Sequence, residues 1–168
     1  RSPCFSLSLV CDGKQTLATD ETFEVYESAI TFDDLRCGEW YDARLYREEL
    51  FRLSGAPLSG YGKPVFVDMP RGELVKCDVE PILEERRFTA KSITPSGKGY
   101  IYDFGEDNAG VVCLRIDGKS GQKITLDFGE VVVDGKLNKD NIVCDFVCDN
   151  YKWNYVQHDE YICVDGWQ

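Results

Sequence analysis

The sequence predicts an all-β protein, an antiparallel β-sandwich architecture, and three observations predict it. Apolar and polar residues alternate over short runs, the pattern of strands with one buried face. Glycines are spread along the chain, 15 in all, and Asp-Gly pairs sit between the alternating runs, as tight hairpin turns require. Helical patterning is thin: the best candidate, Tyr41 to Leu53, has Leu45, Leu50 and Leu53 at irregular spacing. Together these favour sandwiches over a barrel.

Taken in order, Phe5, Leu7, Leu9 and Cys11 alternate with Ser6, Ser8 and Val10, which predicts a half-buried strand. Asp12-Gly13 turns it, and Gln15 to Thr19 returns as its partner. Phe23, Val25 and the stretch Ser28 to Phe32 predict further short strands. Gly, Pro and Ser then cluster between Ser54 and Pro64, which marks a boundary. The division expected there is residues 1–62 against residues 63–168, one partial and one complete sandwich. The first piece is short for a sandwich and reads as the back part of a domain whose front strands are missing.

Beyond the boundary, Tyr100 to Tyr102 reads as a strand ending in an oxygen-rich turn. Val112, Leu114 and Ile116 alternate, Asp117 to Gly121 turns, and Ile124, Leu126 and Phe128 alternate again, predicting a hairpin. Glu130 to Val133 runs into a second Asp-Gly turn at Asp134-Gly135. Tyr151, Trp153 and Tyr155 alternate, as do Tyr161 and Cys163.

Charge excludes some partners. Lys plus Arg total 19 and Asp plus Glu total 30, for a net charge of −11. Nucleic-acid backbones need cationic neutralisation, so no nucleic-acid partner is expected. An anionic membrane surface is disfavoured for the same reason, and no apolar run approaches the ~20 residues that span a bilayer. The first residue is Arg1 rather than Met, so a processed or cut chain is expected. The cysteines number 8 in 168 residues, sparser than in a small disulfide scaffold, and Cys113 sits in an apolar run. Reduced and mostly buried thiols are expected. Cys144 and Cys148, with the single histidine His158 further on, lack a four-ligand zinc spacing, so no metal ligand is assigned.

No catalytic residue is assigned either. There is no Gly-x-Ser-x-Gly elbow for a serine nucleophile, no Walker loop and no dinucleotide fingerprint. Adjacent carboxylates such as Asp33-Asp34 and Glu48-Glu49 do not establish the flanking pair that glycoside hydrolysis needs.

Two segments carry binding chemistry. Asp103, Glu106, Asp107 and Asn108 crowd a turn with carboxylate and amide oxygens, which suits calcium or sugar hydroxyls. The same residues suit better a turn that satisfies its own backbone amides, because no EF-hand spacing is present. Trp40 and Tyr41 beside Asp42 and Arg44 suit a neutral sugar, with flat rings for its C–H face and polar groups for its hydroxyls. They also suit a packed corner in which Arg44 and a carboxylate fix a loop.

These segments also carry a resemblance. Gly38-Glu39-Trp40-Tyr41-Asp42-Ala43-Arg44 resembles the G-E-x-Y-D-A-R motif of bacterial α-L-rhamnosidases, glycoside hydrolase family 78. Asp103 to Gly110 resembles that family's D-F-G-Q-N-x-A-G turn, with Glu106-Asp107-Asn108 in place of Gln-Asn. A G-x-x-G loop at Gly118 to Gly121, then Phe128-Gly129-Glu130 and Gly135-Lys136-Leu137, follow in the family's order. Upstream, Asp12-Gly13 and Thr19 to Phe23 resemble its D-G and T-D-x-x-W stretches, with Phe23 in place of Trp.

The resemblance implies concanavalin-like, jelly-roll sandwiches ahead of an (α/α)₆ barrel. That barrel cleaves terminal α-L-rhamnosyl bonds with inversion, and the chain stops at Gln168 before it, so no catalytic carboxylate transfers to these residues. The implied partners are the barrel of the same polypeptide and, through it, a rhamnose-containing glycoside. Some family members carry a calcium-dependent rhamnose-binding sandwich, so calcium is the one cofactor it brings into view. A cytoplasmic bacterial enzyme acting on imported glycosides would suit the thiols. Three functions follow as expectations: a non-catalytic accessory region, an independent rhamnose-binding module, and a β-rich interaction domain with no sugar role.

Overall fold

The computed structural model describes residues 4–51, 61–68, 71–73, 75–148 and 151–168, with the backbone alone for residues 61, 144–148 and 151–155. Among the described residues the only helical pieces are two short 3-10 turns, Ala43–Leu45 and Glu48–Phe51. The helix candidate from Tyr41 to Leu53 therefore resolves into a strand end and two turns, and Leu53 lies outside the described residues. The irregular spacing of its leucines gives no continuous apolar stripe to bury. The protein is all-β, as expected. No helix among the described residues is long and apolar enough to cross a membrane.

Contacts group the chain into two compact units. The first takes Arg1–Glu27 with Glu48–Pro81, the second Ser28–Arg47 with Ile82–Gln168. The expected boundary cluster from Ser54 to Pro64 lies mostly outside the described residues. The contact grouping runs differently from a division at residue 62, because residues 28–47 belong with the C-terminal stretch.

In the first unit, β1 (Ser8–Cys11) pairs antiparallel with β2 (Lys14–Ala18). Asp12 and Gly13 form the turn with φ of 51° and 74°, so both central residues adopt the left-handed region that a two-residue hairpin needs. Thr19 N–H donates to the Leu7 carbonyl at 3.0 Å, extending the ladder by a step. The predicted hairpin is present, but its apolar residues are exposed rather than half-buried: Leu9 is 50% and Leu17 46% exposed. β3 (Val25–Tyr26) pairs with β6 (Tyr61–Gly62).

The second unit is centred on a four-stranded sheet. It is made of β4 (Ile30–Asp34), β5 (Gly38–Asp42), β10 (Lys123–Asp127) and β15 (His158–Ile162), in the order β10-β15-β5-β4. β15 pairs antiparallel with β10 and parallel with β5, in the register Glu160 to Trp40, Tyr161 to Tyr41 and Ile162 to Asp42. Around this sheet stand antiparallel two-stranded ribbons. β7 (Ser92–Ser96) pairs with β8 (Gly99–Asp103), and β9 (Asp117–Gly118) with β16 (Gly166–Trp167). β11 (Val131–Val133) pairs with β12 (Lys136–Asn138) around the predicted turn, where Asp134 and Gly135 have φ of 50° and 72°. β13 (Cys144–Cys148) pairs with β14 (Tyr151–Tyr155), the strand predicted from Tyr151, Trp153 and Tyr155.

One predicted hairpin is not formed. Val112, Leu114 and Ile116 do not return against Ile124, Leu126 and Phe128. Ile116 exchanges hydrogen bonds with Gln168 instead, at 3.1 and 3.0 Å, continuing the β9–β16 pairing, while β10 takes β15 as its partner. The turn itself survives: Gln122 N–H donates to the Lys119 carbonyl at 2.8 Å, and Gly121 holds φ of 81°. Both flanks thus find partners from the C-terminus, which local alternation cannot foresee.

The cysteine expectation also needs correction. Cys4, Cys11, Cys77 and Cys113 are exposed free thiols, and Cys163 is the buried one. Cys113 lies in a segment that joins no ladder, so no sheet face covers it. Cys144 and Cys148 belong to the stretch whose side chains are not described.

Candidate functional site

The second unit assembles its buried residues at one place. Among the described residues the buried positions are Ala29, Asp42, Gly118 and Cys163. Asp42 N–H donates to the Ala29 carbonyl at 2.8 Å, and Asp42 stands opposite Ile162, beside Cys163. A Cβ on Gly118 would meet the Cys163 Sγ at 2.8 Å, so that glycine is what leaves room for the thiol.

Strand pleating separates the motif around Trp40. Neighbouring residues on a strand point to opposite faces, so Trp40 and Tyr41 do not share one. Trp40 packs on Phe32, with ring centroids 4.4 Å apart, and stacks near His158 at 6.1 Å. Opposite Trp40 on β15 is Glu160, which holds the Lys123 ammonium at 2.6 Å and lies 3.7 Å from His158 Nε2. The Trp40 indole N–H is buried without a hydrogen-bond partner. Tyr41 stacks on Tyr161 across the parallel pair, centroids 5.6 Å apart and planes 2° from parallel. Burial pushes both phenols above their ordinary range. Tyr161 Oη donates to Gln168 Oε1 at 2.8 Å, which ties the C-terminus to this face.

Asp42 and Arg44 form a corner. The Asp42 carboxylate accepts from Arg44 N–H at 3.0 Å, from Nε at 2.9 Å and from Nη2 at 2.7 Å, and it caps the Ala43–Leu45 turn. These Arg44 bonds, foremost the side-chain ones, hold the Asp42 carboxyl below the ordinary carboxylate range despite the opposing effect of burial. With both oxygens occupied, Asp42 fixes the loop where β5 ends, and the outer guanidinium edge of Arg44 lies against the turn at Gly121.

The turn after β8 lies in a separate ribbon, and no strand pairing joins it to the Trp40 sheet. Asp103 Oδ1 accepts from Gly105 N–H at 2.6 Å, and Asn108 Nδ2 donates to the Glu106 carbonyl at 3.0 Å. Glu106 meets Arg86 at 3.5 Å, and Asp107 is exposed. Two of the four oxygen-bearing side chains thus satisfy their own loop. Among the described residues no group of three or more His, Cys, Asp or Glu side chains converges as a cation cage would.

The arrangement is a set of packed rings, Trp40 with Phe32 and His158 and Tyr41 with Tyr161, beside polar groups fixed by their own partners. Asp42 is held below the ordinary range by the Arg44 donors bonded to it, whereas a general acid must hold its proton at working pH. The sequence reading missed Phe32, His158, Glu160 and Lys123. The aromatic and charged character of these residues was visible. Phe32 meets Trp40 across the local β4–β5 pair, but His158 and Glu160, which brings Lys123, reach it through a parallel pairing across 120 residues of sequence, as the bond from Glu39 N–H to Asp159 Oδ1 at 2.9 Å measures.

Residues 93–167 match the family model described as the bacterial alpha-L-rhamnosidase concanavalin-like domain. Neither a curated protein nor a solved structure matches the chain. The matched stretch runs from β7 to β16 and leaves β4 and β5 outside it. Residues 93–167 are therefore a rhamnosidase-related accessory β-region, similar to the concanavalin-like domain of bacterial alpha-L-rhamnosidases.

Proposed function

We propose that this chain is a non-catalytic accessory β-sandwich region of an α-L-rhamnosidase. The observation that carries the proposal is the family match over residues 93–167. In this reading an (α/α)₆ barrel of the same polypeptide hydrolyses terminal α-L-rhamnosyl bonds, with two carboxylates on opposite sides of the bond and inversion at the sugar. The region described here supports that barrel and contacts its substrate, a rhamnose-containing glycoside, through Trp40, Tyr41 and the turn from Asp103 to Asn108. The depressed Asp42 carboxyl, bound to Arg44, supports a structural rather than proton-transferring role for the motif. The exposed free thiols Cys4, Cys11, Cys77 and Cys113 support a reducing, cytoplasmic setting.

Calorimetric titration of L-rhamnose into this chain, once with calcium and once with excess EDTA, tests the proposal. An accessory region that works only beside its barrel gives no binding heat in either arm. Binding at about millimolar or tighter would contradict it and make the chain an independent sugar-binding module. Loss of that heat in EDTA would then place a metal in the site.

A further inference from the structure

We infer that residues 37–44 are a docking strand that the rhamnosidase-related region requires, so that the region's functional unit is discontinuous in sequence. The edge of β15 is the receptor, and its occupant is the chain's own segment Ser28–Arg47, which the family match does not include. This inference goes beyond the rhamnosidase reading and does not depend on it.

Four observations converge on it. First, the backbone ladder is continuous: β5 pairs in parallel with β15 over three residue pairs, and His158 N–H donates to the Cys37 carbonyl at 2.9 Å ahead of them. Without β5, β15 would present a row of unpaired amides and carbonyls. Second, the seat is shaped for glycine. Gly38 has φ of +106°, and a Cβ there would collide with the His158 carbonyl and with Asp159 Oδ1. Third, Asp159 reaches across to accept the Glu39 N–H, a bond a neighbouring strand makes only in this register. Fourth, the buried residues come from both sides. Ala29 and Asp42 belong to the docking segment, Gly118 and Cys163 to the matched stretch. A buried carboxylate is costly unless paired, and the strand carries its own partner, Arg44, two residues on.

The edge of β15 thus selects an extended segment with glycine at its start, a free backbone N–H next, and an Asp-x-Arg corner at its end. The two halves of the unit are held together by this pairing, while Glu48–Pro81 leaves and re-enters between them as part of the other unit.

The test uses the full chain with a protease site placed between Pro81 and Ile82, cut after folding and run on a sizing column. The pieces 1–81 and 82–168 are expected to travel together. Gly38→Ala is expected to separate them. Gly13→Ala is the control: Gly13 also has positive φ, at +74°, but open space around its Cβ position, so its pieces stay together. Should Gly38→Ala fail to fold before cutting, Asp159→Ala removes one interstrand acceptor and is expected to weaken the association about tenfold. Separation of the unsubstituted pieces, or equal retention of the Gly38→Ala and Asp159→Ala pieces, would overturn the inference.

Discussion

Asp42 is the residue on which most of the local chemistry turns. Its carboxylate is buried and takes three bonds from Arg44. A carboxyl whose folded value lies below its unfolded value, about 3.9, contributes stability that is complete above that value. The contribution disappears as pH falls through the folded value. The melting temperature should therefore be insensitive to this group from neutral pH down to about pH 4 and should fall below it. Arg44→Gln should lower the melting temperature at pH 7 and flatten that acid limb, measured by circular dichroism between pH 7 and 2.5. An acid limb as steep in Arg44→Gln as in the unsubstituted chain would show that Asp42 does not titrate in this contact. Cys163 gives a second prediction. Burial raises its thiol, whereas Cys4, Cys11, Cys77 and Cys113 face solvent. A thiol reagent should modify those four in the native chain and reach Cys163 only on unfolding. Cys163→Ser should cost about 2 kcal/mol, because a hydroxyl replaces sulfur in a site closed to solvent.

Two kinds of pairing operate among the strands. The Asp134-Gly135 hairpin is local, and its left-handed residues are chemically dictated. Gly135→Ala should cost about 1–2 kcal/mol in that ribbon and speed amide exchange from Val131 to Asn138 while leaving β15 protected. The parallel pair β5–β15 is held by side chains on both faces. A double-mutant cycle on Tyr41 and Tyr161 should return about 1 kcal/mol of coupling for their stacked rings. This division explains what the sequence made legible. Asp12-Gly13 and Asp134-Gly135 announced their hairpins because the turn residues and the flanking alternation lie side by side. Val112 to Ile116 announced a hairpin equally well and formed none, because Gln168 and β15 compete for the same partners from a distance. The candidate site behaved likewise. Trp40, Tyr41, Asp42 and Arg44 were readable as one motif, and the Asp42–Arg44 corner follows from their spacing. The split of Trp40 and Tyr41 onto two faces follows from pleating once the motif is a strand; the arrival of His158 and Glu160 beside Trp40 follows from a sheet order that local patterns do not encode.

At the scale of the whole molecule, the family match and the sheet lead to one account. The rhamnosidase-related stretch contributes β10 and β15, the segment before it contributes β4 and β5, and their junction holds the buried residues. A motif that resembles a rhamnosidase signature thus does its work partly in the backbone, by docking, and presents Trp40 as a consequence. The net charge of −11 disfavours phosphate-rich partners. An accessory role beside a rhamnosidase barrel is tested by measuring hydrolysis of an aryl α-L-rhamnoside by the barrel-bearing polypeptide, with this region present and with it deleted. No hydrolysis is expected from this chain alone. Deletion is expected to lower kcat/KM or the barrel's melting temperature. Equal kcat/KM and equal melting temperature for the barrel without this region would contradict that role, as would turnover by this chain alone.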